Sequence, residues 1–398
     1  MSKPFLNIGL IGSGFMGQAH ADAFHRTAML YPDLPARPRL HRIADATDEL
    51  AAVAAERLGF ANHTGDWRTL VADPEVDVVD ITSPNLLHRE MALAAIDAGK
   101  HVFCEKPLAV TLAEAEEMAA AAKAAGVKTM VAFNNVKTPA AMLAKAMIER
   151  GEIGTPIRFR GWFDQGFFND PDLPFSWRCT RREAGSGALG DLGSHVVSVA
   201  QYLMGDVEST IAQAQTFFPT RPVASGGMGY GAKAGAEAER RTVENEDQIQ
   251  ALIRFASGAG GTIEASRVSA GKVFGIYWEV SGTEGTILMD GERFNELKVS
   301  RFTDPKSDRG FKTVLAGSQV PQFKGFFGFD FGGGGLGYFD VKVIEAHDLV
   351  QGIAGQGNCF PDFEFGLENA RILDAMERSL VSQSWESVSG PGERGPTA

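Results

Sequence analysis

The stretch "IGLIGSGFMGQAH" (residues 8–20) constrains the fold of this chain more than any other. It runs from a short apolar strand, through Gly12, Ser13 and Gly14, into a helical pattern that begins near Met16 and reaches about Ala28. Gly12, Gly14 and Gly17 stand in G-x-G-x-x-G spacing, where the first glycine permits a tight turn. The second lets a phosphate approach the backbone, and the third allows close helix–strand packing. The helix start supplies free N–H groups and a partial positive charge, the requirements of a pyrophosphate site. Phe15 and Met16 lie between the second and third glycines and are candidate cofactor contacts with them. The bland alternative is a glycine-rich turn that binds nothing.

Strand and helix continue to alternate after this unit. Strands are predicted over 40–45, 76–82, 101–106 and 128–134. Ala-rich helices separate them, one closing on Gly126. The pattern predicts an α/β doubly wound parallel sheet covered on both faces. Past residue 138 the texture changes: one helix, then longer strands with period-2 alternation such as "PIRFRGWF", "QIQALIRFA" and "GIYWEVSG". These predict a second, α+β domain with a large open, mainly antiparallel sheet. The expected boundaries are 1–137 and 138–398; a chain of 398 residues is too long for one core to be the default. The Gly-rich stretches 225–241 and 327–340 read as loops, and helices are expected near 340–353 and 366–383.

Composition narrows the partners. The formal charge of −12 disfavours nucleic acid and anionic membrane surfaces as main partners. No apolar run approaches the ~20 residues that span a bilayer, and the N-terminus has no apolar stretch leading to a cleavage site. A cytoplasmic location is expected. Cys104, Cys179 and Cys359, odd in number and scattered, suggest reduced thiols rather than disulfides or a metal cluster.

Ligands of open parallel sheets bind beyond the carboxyl ends of the strands. Asp45 ends the second predicted strand, where a carboxylate accepts from a ribose diol and repels a 2′-phosphate. It favours NAD over NADP; capping of the next helix is the competing role. Asp45 follows Gly17 by 28 residues, and an inserted loop at 29–38 accounts for the excess. Thr82, Ser83, Asn85 and His88 in "TSPNLLH" are further candidate cofactor contacts, or plain turn chemistry around Pro84. At the end of "HVFCEKP", Lys106 is placed to stabilise an oxygen that develops negative charge. Glu105 would orient Lys106 or touch the nicotinamide ribose, unless both are solvated strand-end charges. In "SGALGDLGSHVVSVAQYLMG", Asp191 and His195 are four apart on a predicted helix and share a face. His195 suits proton abstraction near neutral pH, with Asp191 on the imidazole or on a neighbouring hydroxyl. A metal would need a third ligand at matching spacing, and none is expected.

"GLIGSGFMGQAH", "CEKP" and "GDLGSH", in this order and at these separations, resemble the Gfo/Idh/MocA (glucose–fructose oxidoreductase / inositol dehydrogenase) family over nearly the whole chain. "MVAFNNVKTPA", "FSWR", "GSGALGD" and "VKVIEAHD" are similar to its levoglucosan-dehydrogenase group. The resemblance implies a Rossmann domain followed by a sheet domain that builds a homodimer or homotetramer. It implies Lys106, Asp191 and His195 as the catalytic set, with Asn134, Trp177 and Arg178 near the substrate. Relatives often carry an aromatic and then a basic residue after the equivalent of Asn134; here Asn135 and Val136 stand there, followed by Lys137. The expected activity is NAD-dependent oxidation of a secondary hydroxyl of a sugar, anhydrosugar or cyclitol. Two alternatives are a glycoside-cleaving enzyme that uses NAD transiently and a non-catalytic NAD-binding regulator.

Overall fold

The computed structural model describes residues 4–224, 238–327 and 335–388. The chain divides into two compact units: Met1–Lys137 with Gly317–Glu368, and Thr138–Ala316 with the residues from Asn369 onward.

In the first unit, strands β1 (Phe5–Ile11), β2 (Arg37–Ala44), β3 (Asn62–Thr64), β4 (Val78–Ile81), β5 (His101–Cys104) and β6 (Thr129–Val131) form one sheet. Its order is β3-β2-β1-β4-β5-β6 with every pair parallel. Ile8, Leu10, Val78, Val79, Val102 and Phe103 are buried, as strands covered on both faces require. Helices α1 (Phe15–Leu30), α2 (Asp48–Leu58), α3 (Trp67–Val71), α4 (His88–Asp97) and α5 (Leu112–Ala125) provide the cover. Local chemistry sets their ends: Thr111 and Glu114 form a reciprocal capping box on α5, and Gly126 closes it at φ +68°.

The second unit starts with α6 (Pro139–Glu149), then β7 (Pro156–Asp164), α7 (Arg181–Ala184) and α8 (Ser194–Met204). The strands β8 (Val207–Gln215), β9 (Thr220–Pro222), β10 (Arg240–Thr242), β11 (Gln248–Phe255) and β12 (Gly260–Ser266) follow. They continue as β13 (Gly275–Gly282), β14 (Gly285–Asp290), β15 (Glu296–Arg301) and β16 (Lys312–Leu315). The chain then forms α9 (Tyr338–Ile353), α10 (Phe363–Ser382) and β17 (Glu386–Ser387). A nine-stranded sheet runs β16-β15-β14-β13-β7-β12-β11-β8-β17. All its pairs are antiparallel except β7–β12, so the sheet is mixed where the alternation pattern suggests only its dominant direction. One face, with Phe159, Phe163, Ile249, Ile253, Ile263, Ile276, Trp278 and Val280, is buried, with α8 against its central strands. On the other face the register aligns Ile211, Leu252, Thr262, Arg160, Glu279 and Leu288 across adjacent strands. That open face mixes apolar with charged residues and is not simply apolar.

The structure places Gly317–Glu368 with the first unit rather than with a second domain running unbroken from 138. The physical reason is α9, which packs on α1 and inserts Val343, Ala346, Leu349 and Val350 into the first unit's core. Most of the Gly-rich stretches, 225–237 and 328–334, lie outside the described residues; Arg240 and Arg241, at the end of the first, pair with β9. Cys104, Cys179 and Cys359 are unpaired thiols.

Candidate functional site

The first unit carries the glycine turn. Gly12 sits at φ +99°, a conformation that favours glycine. A Cβ at position 17 would lie 2.1 Å from the Gly12 carbonyl oxygen, so α1 starts against the turn only because that side chain is missing. A Cβ at position 14 would meet nothing within 4 Å, leaving the backbone open beside the first turn of α1. An open glycine at a helix start whose first residues have no side-chain cap fits a pyrophosphate. Phe15 is exposed and Met16 half-buried at the same turn.

Asp45 stands at the end of β2 and faces this turn. Its Oδ2 accepts from the Ser13 N–H at 2.9 Å and from the Ser13 hydroxyl. The cap of α2 is Thr47, which accepts from the Leu50 N–H at 3.2 Å, so the capping role does not fall to Asp45. Thr82 donates to the carbonyls of Ile11 and Gly12 at 3.0 and 2.9 Å and braces the turn from below. Ser83 donates to the Met91 sulfur, and Asn85 opens a short 3₁₀ turn.

His88 is placed otherwise than the sequence suggests. It is fully buried, with Nδ1 3.0 Å from the Pro107 carbonyl and Nε2 3.0 Å from the Ser83 carbonyl. Burial lowers its pKa, and a neutral ring, which has one N–H, donates to one of these two carbonyls while its other nitrogen lies beside the second without a hydrogen bond.

Glu105 is not a solvated strand-end charge. Its carboxylate turns inward and is buried. Oε1 accepts from Lys342 Nζ at 2.9 Å and faces His20 Nε2 at 3.1 Å; Oε2 accepts from the Lys106 N–H at 3.0 Å. Burial opposes its ionisation, but Lys342, His20 and Lys106 outweigh that and hold the carboxyl well below the usual range. His20 reaches Asp80 on its other side at 2.9 Å, and Lys342 pairs also with Glu345 at 3.1 Å. Lys106 is half-buried on the turn so held, and its peptide to Pro107 is cis. At the end of β6, both amide atoms of the buried Asn134 lack a hydrogen-bond partner among the described residues. Lys137 pairs with Asp348 at 2.6 Å.

In the second unit Asp191 and His195 do not share one regular α-helix. Leu189–Gly193 is a π-turn, and α8 starts only at Ser194. The wider turn re-aims Asp191 relative to an i, i+4 face. Asp191 is half-exposed, with Arg178 Nε 3.5 Å from its Oδ2, and the Arg178 guanidinium lies 4.4 Å over the Trp177 ring. His195 is buried, edge-on to Phe163 at 5.7 Å between ring centroids. Leu192, Val196, Val199 and Leu203 are buried beside it, and Gly205 ends the helix. Lys106 belongs to the first unit, whereas Asp191 and His195 belong to the second.

Sequence reasoning passed over His20, Asp80, Lys342 and Glu345. The signal was a charged residue inside otherwise apolar runs, "VVDI" and "VKVIE". One cluster with metal-ligand chemistry, His41, Asp73 and Glu75, brings its ligand atoms within 4.8 Å of one another. Arg42 Nε, 3.2 Å from Asp73, already supplies a cation there.

Residues 6–133 match the model of the oxidoreductase family with an NAD-binding Rossmann fold, and residues 142–288 match the GFO/IDH/MocA C-terminal domain. The chain is 44% identical over 384 residues to a levoglucosan dehydrogenase of Pseudarthrobacter phenanthrenivorans, covering 96% of this chain and 98% of that one. The crystal structure of an NAD binding oxidoreductase from Klebsiella pneumoniae is 64% identical, with a TM-score of 0.91 over 96% of this chain and 99% of that one. A levoglucosan dehydrogenase solved in complex with NADH and levoglucosan is 43% identical, with a TM-score of 0.90 over 96% of this chain and 99% of that one.

The buried network yields a pH prediction. Burial pulls the His20 imidazole down, but Asp80 and Glu105 outweigh it and raise its pKa from 6.5 to about 9. The folded protein therefore keeps a proton that the unfolded chain releases. This contribution to stability is fully present below pH ~6.5 and is lost as pH rises through about 9. In denaturant titrations wild type should lose up to about 1.4 kcal/mol per pH unit within that window, and His20→Gln should lose less. Equal slopes for the two proteins would assign the proton elsewhere.

Proposed function

The chain belongs to the Gfo/Idh/MocA oxidoreductase family, and from that premise we propose that it oxidises a secondary hydroxyl of an anhydrosugar with Lys106, Asp191 and His195 as its catalytic set. It is an NAD-dependent dehydrogenase acting on hydroxyls of sugars or cyclitols. The observation that carries the reading is Lys106 on a turn whose backbone is clamped by the buried Glu105 carboxylate. A donor held this way is preorganised and costs little reorganisation when charge develops beside it.

The open side of Gly14, the start of α1 and Asp45 would hold the cofactor, which would supply a nicotinamide as hydride acceptor for the substrate carbon. His195 takes the hydroxyl proton. Lys106 donates a hydrogen bond to the same oxygen as negative charge builds on it. Asp191 accepts from a neighbouring hydroxyl. Its pairing with Arg178 leaves that corner close to neutral, which suits an uncharged polyol. The Asn134 amide offers a further donor and acceptor to a ligand hydroxyl. Levoglucosan is the first substrate to test, because a relative of that name aligns over 96% of the chain.

Lys106→Ala and His195→Ala should each lower kcat at least ~100-fold, with NAD affinity by fluorescence titration nearly unchanged. The assay is production of reduced cofactor on levoglucosan, other pyranoses and inositols. Near wild-type kcat for Lys106→Ala would remove it from the catalytic set. Sugar cleavage without net cofactor reduction would favour transient use of NAD instead.

Cofactor choice follows from Asp45, whose carboxylate faces the glycine turn through Ser13. kcat/KM should be higher with NAD than with NADP, and Asp45→Ser should narrow the difference. Equal or better use of NADP by wild type would end the ribose-diol role of Asp45.

The assembly belongs to the same reading. The open sheet face carries Leu252, more than half exposed, and the Trp162–Tyr277 stack at 3.9 Å, flanked by Arg160 and Glu279. A second copy of the chain covering this face makes a dimer or tetramer, and the three unpaired thiols suit a cytoplasmic location. No helix among the described residues is long and apolar enough to cross a membrane. Light scattering at micromolar concentration should give an oligomer; a monomer there would discard this assembly.

A further inference from the structure

The segment "NED" (245–247), just before β11, takes no part in the chemistry described above, yet its polar groups converge on the loops that carry it. Glu246 is buried. Its Oε1 accepts from the Gly187 N–H at 2.8 Å and from the Leu189 N–H at 2.9 Å. Between them the Ala188 N–H donates to the Glu246 carbonyl at 3.0 Å. Three successive N–H groups thus end on one residue. They belong to the stretch that leads into the π-turn holding Asp191, and the Asp191 N–H itself donates to the Gly187 carbonyl at 3.1 Å. The approach is close enough to demand glycine: a Cβ at position 187 would lie 1.9 Å from the Glu246 carbonyl oxygen.

The neighbouring residues extend the same hold. Asn245 Nδ2 donates to the carbonyls of Arg178 and Thr180 at 3.0 and 3.1 Å. Asp247 accepts from the N–H groups of Phe217 and Phe218 at 2.8 and 2.9 Å, and from Arg267 Nε at 2.9 Å. Adjacent residues 245 and 246 therefore hold the Arg178 carbonyl and the backbone that leads into Asp191, its ion-pair partner.

We propose that Glu246 is a positioning residue for substrate: through the backbone of Gly187 and Leu189 it sets the π-turn that aims Asp191 and starts the helix of His195. The inference rests on the dehydrogenase reading above, in which Asp191 and His195 meet the substrate. Glu246 touches no reacting atom and acts only through the turn. A buried carboxylate is a costly way to hold a loop unless its hydrogen bonds are all used. Here one oxygen receives two N–H groups, so what matters is an acceptor at that point. A loop displaced by about 1 Å can cost ~100-fold in rate without any loss of cofactor binding.

The test compares Glu246→Gln, Glu246→Asp and Glu246→Ala with His195→Ala, using levoglucosan or whichever panel polyol is turned over. Glu246→Gln keeps the acceptor oxygen and should stay within about 5-fold of wild type in kcat/KM for the polyol. Glu246→Asp withdraws that oxygen by one methylene, and Glu246→Ala removes it. Both should lose ~30- to 100-fold in kcat/KM for the polyol, while the Kd for NAD stays within about 2-fold of wild type. If Glu246→Ala does not fold, the Asp and Gln pair decides. Wild-type kcat/KM for a folded Glu246→Asp, or equal losses for Gln and Asp, overturns the proposal. Parallel loss of NAD affinity would mark a general fault of folding and also overturns it. If His195→Ala keeps its kcat, or no panel member is oxidised, the reading beneath fails and this inference with it. If His195→Ala is inactive while Glu246→Asp is not, only the role of Glu246 is wrong.

Discussion

A single buried carboxylate organises the first unit. A charge removed from water is expensive, and removing one partner of such a group typically costs about 3–5 kcal/mol. Glu105 is compensated by donors from three parts of the chain: Lys342 on α9, His20 on α1 and the backbone of Lys106. Asp80 on β4 faces the second nitrogen of His20, which places the imidazole between two carboxylates and favours its protonated form. The parallel sheet, its first helix and a helix from late in the chain are thereby tied at the strand end that presents Lys106. His88 closes the same turn from the other side through the Pro107 carbonyl.

This requirement accounts for the return of Gly317–Glu368 to the first unit. The apolar face of α9 would pack on α1 in any case, through Val343, Ala346 and Leu349. Lys342 adds a specific demand, because its buried ammonium lies 2.9 Å from the Glu105 carboxylate. Hydrophobic packing joins the two helices, and the ion pair links α9 to the end of β5.

The second unit solves a similar problem with backbone groups and one buried arginine. Glu246 collects N–H groups that the π-turn cannot satisfy internally, and Asp247 collects others together with Arg267. Arg267 and Arg221 each lie about 4.4 and 4.3 Å from the Phe168 ring, and Arg221 donates to the carbonyls of Phe168 and Asp170. The long segment between β7 and α8 is thus held by buried polar side chains as well as by the apolar cluster of Phe168, Cys179 and Val243. Polar networks of this kind specify one conformation closely, since each unmet group would carry a desolvation cost.

Much of this was legible in the sequence. The glycine spacing, the strand–helix alternation and the shift to period-2 strands after residue 138 follow from local rules of periodicity and turn chemistry, which need only neighbouring residues to operate. The same rules located Gly12, Gly14, Asp45 and Lys106 just past strand ends, where parallel sheets present ligands, and Gly17 in the first turn of the helix that follows. They missed the short strand β3, read Asp191 and His195 onto a regular helix, put His88 at the cofactor and left Glu105 open between solvent and site. Each of these was decided by partners far away in the chain: Pro107 for His88, Lys342 for Glu105, Glu246 for the turn of Asp191. The sequence alone determined which elements form and which residue types stand at their ends. Only the tertiary structure decided which charges turn inward, because a buried charge is stable only beside its partner, and no local pattern says where in 398 residues that partner lies.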